Sequence, residues 1–291
     1  IYDLIKIPNL EIYEINTQNK LKYFYASKSF RLGVEKNIIC LHSNKKDYDH
    51  KYGIINYNLN MEIINTSLIF TATYNEKENV RKLIDDITVY SPDSSILIIE
   101  DSSPDGTGEI LKEIEKKNPN LKVIIREKKE GLDSAHKQAY SFAKENDYDF
   151  LITMDADLSH DPNEIENFIK HLNDKPFVIG SRYIEGGKCV MKGKRLVLSK
   201  YGNLLIKYLL KIRSNEFTTS YRGFNIKMLK HFDLNNVSNK GYSFFMGTIV
   251  EISKQKIPIK EIPIIFKDRK KKYSKIPKLE ILRTLKNLFF I

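Results

Sequence analysis

From Thr66 onward the apolar positions alternate between two periods. Ser67–Thr71, Ser95–Glu100, Leu121–Ile125, Phe150–Met154 and Phe177–Ile179 are short apolar runs of the kind that fill a strand buried on both faces. Between them apolar residues recur at helical spacing: Val80, Leu83, Ile84 and Ile87, then Ile110, Leu111 and Ile114, then Leu132–Lys144, then Ile165, Phe168, Ile169 and Leu172. Punctuation falls at the junctions. Asn75, with Glu78 three residues on, predicts a capping box for the first helix, and Asp101–Gly108 reads as a turn through Ser-Pro-Asp-Gly. Asp161, Pro162 and Glu164 predict a capped start for the fourth helix.

Strands alternating with helices predict an α/β fold with a doubly wound, mostly parallel sheet. Ligands of such sheets sit beyond the carboxyl ends of the strands, which places Tyr74, Glu100–Asp101 and Asp155–Asp157 on one rim. Residues 1–65 carry β-like runs at Leu10–Ile15, Leu21–Tyr25, Asn37–His42 and Gly53–Ile64, and read as a small β-rich appendage of unknown role.

Composition narrows the class. With 41% hydrophobic and 29% charged residues the chain is globular, and no apolar run approaches the length of a membrane-spanning helix. Cys40 and Cys189 are far apart and suggest neither a disulfide framework nor a zinc site, so a reducing, cytosolic compartment is expected. No signal-peptide pattern is visible. The net charge of +11 is uneven: Gly187–Asn215 holds eight Lys/Arg and no acid, and Ile252–Ile291 holds twelve Lys/Arg against three acids, leaving −6 elsewhere. A basic C-terminal half fits an anionic partner, although a solvated lysine-rich surface has the same composition.

Asp155-Ala156-Asp157 follows a buried strand, so two carboxylates on one loop can reach one hard cation, and magnesium favours one or two carboxylates with phosphate oxygens and water. Asp-x-Asp alone is also common in helix-capping loops, but Asp161 already serves that end here. Glu100-Asp101 is a second acidic pair, for which turn chemistry is the plainer reading. Neither a Gly-x-Gly-x-x-Gly nor a Walker A sequence is present to cradle phosphates.

Several motifs in order carry a family resemblance. Thr73-Tyr74-Asn75-Glu76, Glu100 to Thr107, Met154 to His160, Gly180-Ser181-Arg182-Tyr183, Gly241-Tyr242-Ser243-Phe244 and the stretch from Glu261 through Ser274-Lys275 resemble family-2 glycosyltransferases. Within that family they look most like dolichol-phosphate mannosyltransferases and their polyprenyl-phosphate relatives. The resemblance spans roughly residues 66–280 and leaves 1–65 uncovered. It implies a GT-A fold in 66–276, with a donor half at 66–185 and an acceptor half at 186–276, followed by a basic amphipathic helix at 277–291. It implies inverting transfer of a sugar from GDP-mannose or a UDP-hexose to a polyprenyl phosphate. Asp155 and Asp157 match the metal motif for Mg²⁺ or Mn²⁺. Thr73, Tyr74, Glu76, Glu100, Asp101, Ala156, Arg269 and Lys275 match nucleotide-sugar positions, with Asp101 at the base. Arg182, Arg195, Ser199 and Arg222 match acceptor-phosphate positions, and Asp157, Arg182 and Arg195 are the residues expected to carry catalysis.

The acceptor decides the chemistry required. A hydroxyl acceptor needs a positioned base, whereas a phosphate monoester is largely a dianion at neutral pH and needs cations to hold it. Arginine suits that task because its fork donates two parallel bonds. Three positions depart from the family pattern: Glu216 stands where an Asp is usual, Gly247 where a Glu is usual, and Lys272 where a mobile loop usually has Gly. Two stretches, Leu196–Leu210 and Pro277–Ile291, combine apolar residues at helical spacing with interleaved Lys and Arg, as helices lying in a bilayer interface do. The expected location is therefore cytoplasmic, peripheral at the inner membrane face. Rival readings are a hydroxyl-acceptor glycosyltransferase of polysaccharide or O-antigen synthesis, with Glu216 as base, and a catalytically degenerate nucleotide-sugar-binding protein. A nucleic-acid partner would explain the basic stripe but leave the acidic rim without a role, and none is expected.

Overall fold

The computed structural model describes residues 66–267, apart from Lys192 and Tyr242, together with the backbone of five strands in the first 65 residues. Those five are β1 (Leu10–Thr17), β2 (Lys20–Ser27), β3 (Ile38–Cys40), β4 (Lys46–Asp49) and β5 (Ile54–Tyr57). The first three form an antiparallel sheet and the last two a hairpin.

The second unit is built on a seven-stranded sheet. Its strands are β6 (Ser67–Thr73), β7 (Ser95–Glu100), β8 (Leu121–Ile125), β9 (Phe150–Thr153), β10 (Phe177–Ser181), β12 (Arg222–Asn225) and β13 (Ile259–Pro263). They are ordered β13-β10-β12-β9-β6-β7-β8. All pairings are parallel except those of β12, which lies antiparallel between β9 and β10. A short parallel pair, β11 (Lys188–Cys189) with β14 (Ile265–Phe266), forms a separate two-stranded sheet.

Helices cover both faces because successive strand residues feed two cores. On β6, Leu68 and Phe70 enter the core shared with α3 (Leu132–Glu145) and α6 (Ser243–Lys254), while Ile69 enters the core shared with α1 (Val80–Tyr90), α2 (Thr107–Glu115) and α4 (Ile165–Leu172). Strands β6, β7, β9 and β10 are buried on both faces, as the uninterrupted apolar runs required. Helix α4 packs closely over β12: a side chain at Gly223 would meet Leu172 Cδ1 at 2.8 Å, so only glycine lets this helix sit there.

Two local expectations change. Helix α1 starts at Val80, not after Asn75, and its N-cap Asn79 makes no side-chain cap. Asn75 instead adopts φ 55°, the left-handed turn that Asn tolerates, and its N–H donates to Ser103 Oγ. Asp161 caps the turn before α4 as expected, its Oδ1 accepting from the Asn163 N–H at 3.2 Å. The glutamate of that predicted box, Glu164, accepts from Asn167 at 3.4 Å. The C-terminal helix expected at 277–291 lies outside the described residues.

Candidate active site

The rim forms where β6, β7 and β9 end. The β6–α1 and β7–α2 loops are bonded to one another: Glu76 N–H donates to Thr107 Oγ1 at 3.1 Å and Lys77 N–H to Asp105 Oδ2 at 3.3 Å. Asp105 Oδ1 also takes the Thr107 N–H, closing a turn through Gly106, whose φ of 88° suits glycine. Tyr74 lies under the ammonium of Lys129, 3.6 Å from its ring centre. Thr73 sits at the strand end with a buried Oγ1 that lacks a hydrogen-bond partner. Glu76 accepts from Asn79 Nδ2.

The second acidic pair is more structural than the motif implied. Glu100 is buried and turned beneath its own loop, accepting the N–H groups of Ser102 and Ser103 and the Ser103 hydroxyl. Its carboxylate is thus committed to the turn. Asp101 forms a buried ion pair with Arg126 at 3.1 Å and accepts the Glu130 and Gly131 N–H groups at 2.9 Å each. It is a strut for the loop ahead of α3, with Oδ2 keeping capacity for one further donor. Arg126 was missed in the sequence, although it immediately follows a strand and so falls on the same rim.

Asp155 and Asp157 flank buried Ala156 and are themselves half-buried. Each is held by a serine: Ser220 Oγ donates to Asp155 Oδ1 at 2.5 Å, and Ser159 Oγ donates to Asp157 Oδ1 at 2.5 Å, joined there by the Ser159 N–H. Asp155 N–H donates to His160 Nδ1 at 3.0 Å, so the imidazole carries its proton on Nε2, which faces Thr219 Oγ1 at 3.3 Å. Burial pushes the His160 pKa down, against the pull of Asp155 and Asp157. Neutral His160 is therefore a positioning group under the acid loop.

On the far side of the acid loop Arg182 and Glu216 form a buried bidentate pair. Nε and Nη2 each donate to the carboxylate at 2.7 Å, and Nη2 also reaches Thr218 Oγ1 at 2.8 Å. Burial would raise the Glu216 pKa, but the Arg182 guanidinium and the bonds from Thr218 hold it below the usual carboxylate range. The fork of Arg182, expected to meet phosphate, is thus spent on Glu216, and Nη1 is the nitrogen outside the clamp. Ser199, in α5 (Lys194–Leu210), receives the Tyr183 hydroxyl's bond at 2.7 Å. Arg195 lies one turn ahead of Ser199 on the same helix, and its side chain lies outside the described residues. Arg222 departs from expectation: it is 1% exposed, donates to the Thr219 and Phe217 carbonyls, and leaves Nη1 without a partner. Burial pushes its pKa down to about 9.

One segment ties these parts together. Ser220 holds Asp155, Thr219 meets His160, and Glu216 clamps Arg182, all within five residues. His160 accordingly feels both the Asp155–Asp157 carboxylates and the Arg182–Glu216 pair. None of these partnerships was legible in the sequence, because they join residues separated by 34 to 65 positions. Lys267 bonds Ser159 O and Asp161, so the basic segment bearing Arg269 and Lys275 starts beside the acid loop; those two residues, and Lys272, lie outside the described residues.

The donor set can be tested against a cation. Among the described residues no group of three His, Cys, Asp or Glu side chains could hold a metal. Two carboxylates alone match the oxygen-rich, partly ligand-supplied shell that Mg²⁺ and Mn²⁺ adopt on phosphates.

Comparison with known proteins gives concordant matches. The description "Glycosyl transferase family 2" matches residues 68–233. The polyprenol monophosphomannose synthase of Mycolicibacterium smegmatis is 32% identical over 213 residues, 72% of this chain and 80% of that protein. The undecaprenyl-phosphate mannosyltransferase of Micrococcus luteus is 31% identical over 210 residues, 72% of this chain and 86% of its own. Among solved structures, glucosyl-3-phosphoglycerate synthase of Mycobacterium tuberculosis, in complex with Mn²⁺, UDP and glucosyl-3-phosphoglycerate, has a TM-score of 0.56 at 14% identity, covering 78% of this chain and 81% of that one. At that identity the likeness is one of fold.

Proposed function

The chain belongs to glycosyl transferase family 2, with its α/β GT-A architecture, and from that membership we propose that it moves a hexose from GDP-mannose or a UDP-hexose to a polyprenyl phosphate at the inner face of a membrane. The observation that carries the reading is the single segment, Glu216 to Ser220, that braces both the Asp155 carboxylate and the Arg182 guanidinium. Donor acids and acceptor cation are thereby built on one framework.

In this mechanism Asp155 and Asp157 would hold Mg²⁺ or Mn²⁺ on the donor diphosphate, supplying charge neutralisation for the departing nucleoside diphosphate. Ser220, Ser159 and His160 keep the two carboxylates in place for that task. Thr73, Tyr74, Glu76 and the Asp101–Arg126 strut frame the nucleoside end. Arg182 Nη1, Arg195 and Ser199 meet the acceptor phosphate, with Arg269 and Lys275 closing over the donor. An acceptor oxygen bonds to the anomeric carbon as the bond to the diphosphate breaks on the opposite face, inverting the centre. A phosphate dianion needs no base for this step. Glu216 supports that choice: wholly buried, paired with Arg182 and kept ionised by it, the carboxylate is poorly suited to take a proton from a hydroxyl.

Incubation with short polyprenyl phosphates and a panel of nucleotide sugars, with and without Mg²⁺ or Mn²⁺, tests the reading by mass spectrometry. A metal-dependent glycosyl phospholipid that disappears in Asp157→Asn is expected. Nucleotide-sugar binding with transfer only to hydroxyl acceptors, or with no transfer at all, would overturn it.

A further inference from the structure

Residues 264–267 form a strap between the two parts of the site. Ile264 N–H donates to Ser181 O at 3.1 Å, next to Arg182, and Lys267 N–H donates to Ser159 O at 2.9 Å, next to His160. Between those anchors the strap is paired to β11: Lys188 N–H donates to Ile264 O at 2.9 Å and Val190 N–H to Phe266 O at 3.0 Å. It lies flush on β10, where a side chain at Gly180 would meet Ile264 Cγ2 at 2.8 Å. The backbone of the strap is therefore fixed at both ends and along its length.

One side chain of the strap reaches both neighbours. The buried Phe266 ring has the Arg182 guanidinium over it, with Cζ 5.1 Å from the ring centre, and it meets the His160 ring in a T-shaped pair at 5.4 Å. Both arrangements are favourable. Arg182 and His160 also have hydrogen bonds of their own: Glu216 and Thr218 take the arginine's donors, while Asp155 N–H and Thr219 hold the imidazole. Those bonds fix each group on its own side. Across the gap they share the irregular segment 216–220, whose contact with His160 is 3.3 Å, and the Phe266 ring. A packed ring is a poorly compressible spacer, so it sets a distance that a long hydrogen bond from a loop does not.

We propose that Phe266 is a positioning residue for transfer: its ring sets the spacing between the loop of Asp155 and Asp157 and the Arg182 guanidinium, and so between the donor diphosphate and the acceptor phosphate. This rests on the lipid-phosphate reading and adds to it the group that aligns its two substrates. Displacement at the anomeric carbon tolerates little error, since a misplacement of about 1 Å costs on the order of 100-fold in rate. Loss of the ring therefore spares the binding of either substrate and slows the step that needs both.

The test is Phe266→Ala in the full chain, assayed below its unfolding transition with the nucleotide sugar that the parent uses and a detergent-dispersed short polyprenyl phosphate. Expected is a fall in kcat of at least about tenfold, while the Kd of GDP or UDP with Mn²⁺ and the KM for the polyprenyl phosphate stay within about threefold. Phe266→Met, long and adaptable enough to refill the space, should return kcat to within about threefold of the parent; where Phe266→Ala fails to fold, Phe266→Leu takes its place. Unchanged kcat with a lowered Tm would leave the ring a structural role alone and overturn the proposal. So would a loss confined to the nucleotide Kd or to KM, which would place Phe266 on one substrate only. Double-mutant cycles of Phe266→Ala with Arg182→Met and with His160→Gln, read by denaturant unfolding, need no substrate. Coupling of at least about twofold in the unfolding constant is expected in both, and additivity in either overturns the proposal. A parent that makes no glycosyl phospholipid sinks the lipid-phosphate reading alone, and the cycles then decide whether Phe266 joins the two sides.

Discussion

Replacing Glu216 by glutamine distinguishes the two acceptor chemistries. In the native chain the carboxylate accepts two bonds of 2.7 Å from Arg182 and further bonds at 3.1–3.2 Å from Thr218 and Thr219. Glutamine preserves the shape and one oxygen, but sets an NH₂ group against an arginine donor and leaves the guanidinium buried without its counter-ion. Breaking one side of a buried pair costs about 3–5 kcal/mol, and retention of one acceptor puts Glu216→Gln near the lower end, about 3 kcal/mol. In a unit of this size each kcal/mol lowers Tm by about 2–4 °C, so a fall of about 6–12 °C is expected by calorimetry. Below that transition the kinetics discriminate. If Glu216 only positions Arg182, the KM for polyprenyl phosphate rises on the order of 10–100-fold while the pH profile of kcat keeps its shape. If Glu216 is a base, kcat falls about 10²–10⁴-fold and the acidic limb of the profile vanishes, with KM little changed. Unchanged Tm together with a lost acidic limb would refute the reasoning.

The pair also has a pH signature, because the folded pKa of Glu216 is depressed: its contribution is present above the ordinary carboxylate range and disappears as pH falls through the lowered folded value. Other perturbations follow from single contacts. Ser220→Ala removes the bond on Asp155 and should weaken Mn²⁺-dependent nucleotide binding by about 10–100-fold in calorimetry, with Tm nearly unchanged; undiminished affinity would show that the serine orients nothing. His136 is packed among Phe70, Phe244 and Phe245, and burial, aided by Arg222, pushes its pKa down to about 3. Since the unfolded chain binds this proton near pH 6.5, stability should fall by about 2 kcal/mol between pH 7 and 5, and His136→Leu should flatten that slope in denaturant titrations. Gly247→Glu should lower stability by about 1–3 kcal/mol without raising activity, because the space for a side chain there is filled by Asn239; higher activity at unchanged Tm would contradict this.

What the sequence disclosed and what it hid divide along physical lines. Strands β6, β7 and β9 were legible because burial on both faces demands unbroken apolar runs, and α4 was legible because Asp161-Pro162 opens it and Ile165, Phe168 and Leu172 repeat on one side. Strand β12 was hidden because Arg-Gly-Phe-Asn has no strand pattern of its own; it is held in place by pairing to β9 and β10 and by the overlying α4. That concealment also hid the burial of Arg222, whose side chain runs through the interior. Asn75 misled because a cap and a left-handed turn favour the same residue. The acid loop was visible as Asp155 and Asp157, but its supports, Ser220 and Thr219, arrive only through the antiparallel return of the chain.

The departures at 216 and 247 acquire a common sense in the structure. The acid that remains, Glu216, is one that Arg182 neutralises, and the acid that is missing would have stood where Asn239 now packs against Gly247. Arg222 has only carbonyl partners, and burial pushes its pKa down to about 9. The proposed acceptor half is thus organised around a clamped arginine and a helix whose run of basic residues contains no acid. Such a surface attracts and holds a dianion well and deprotonates a hydroxyl poorly. Since transfer to a phosphate dianion needs no base, the absence of an acid at 247 is compatible with the proposed lipid-phosphate enzyme and does not by itself make the chain degenerate.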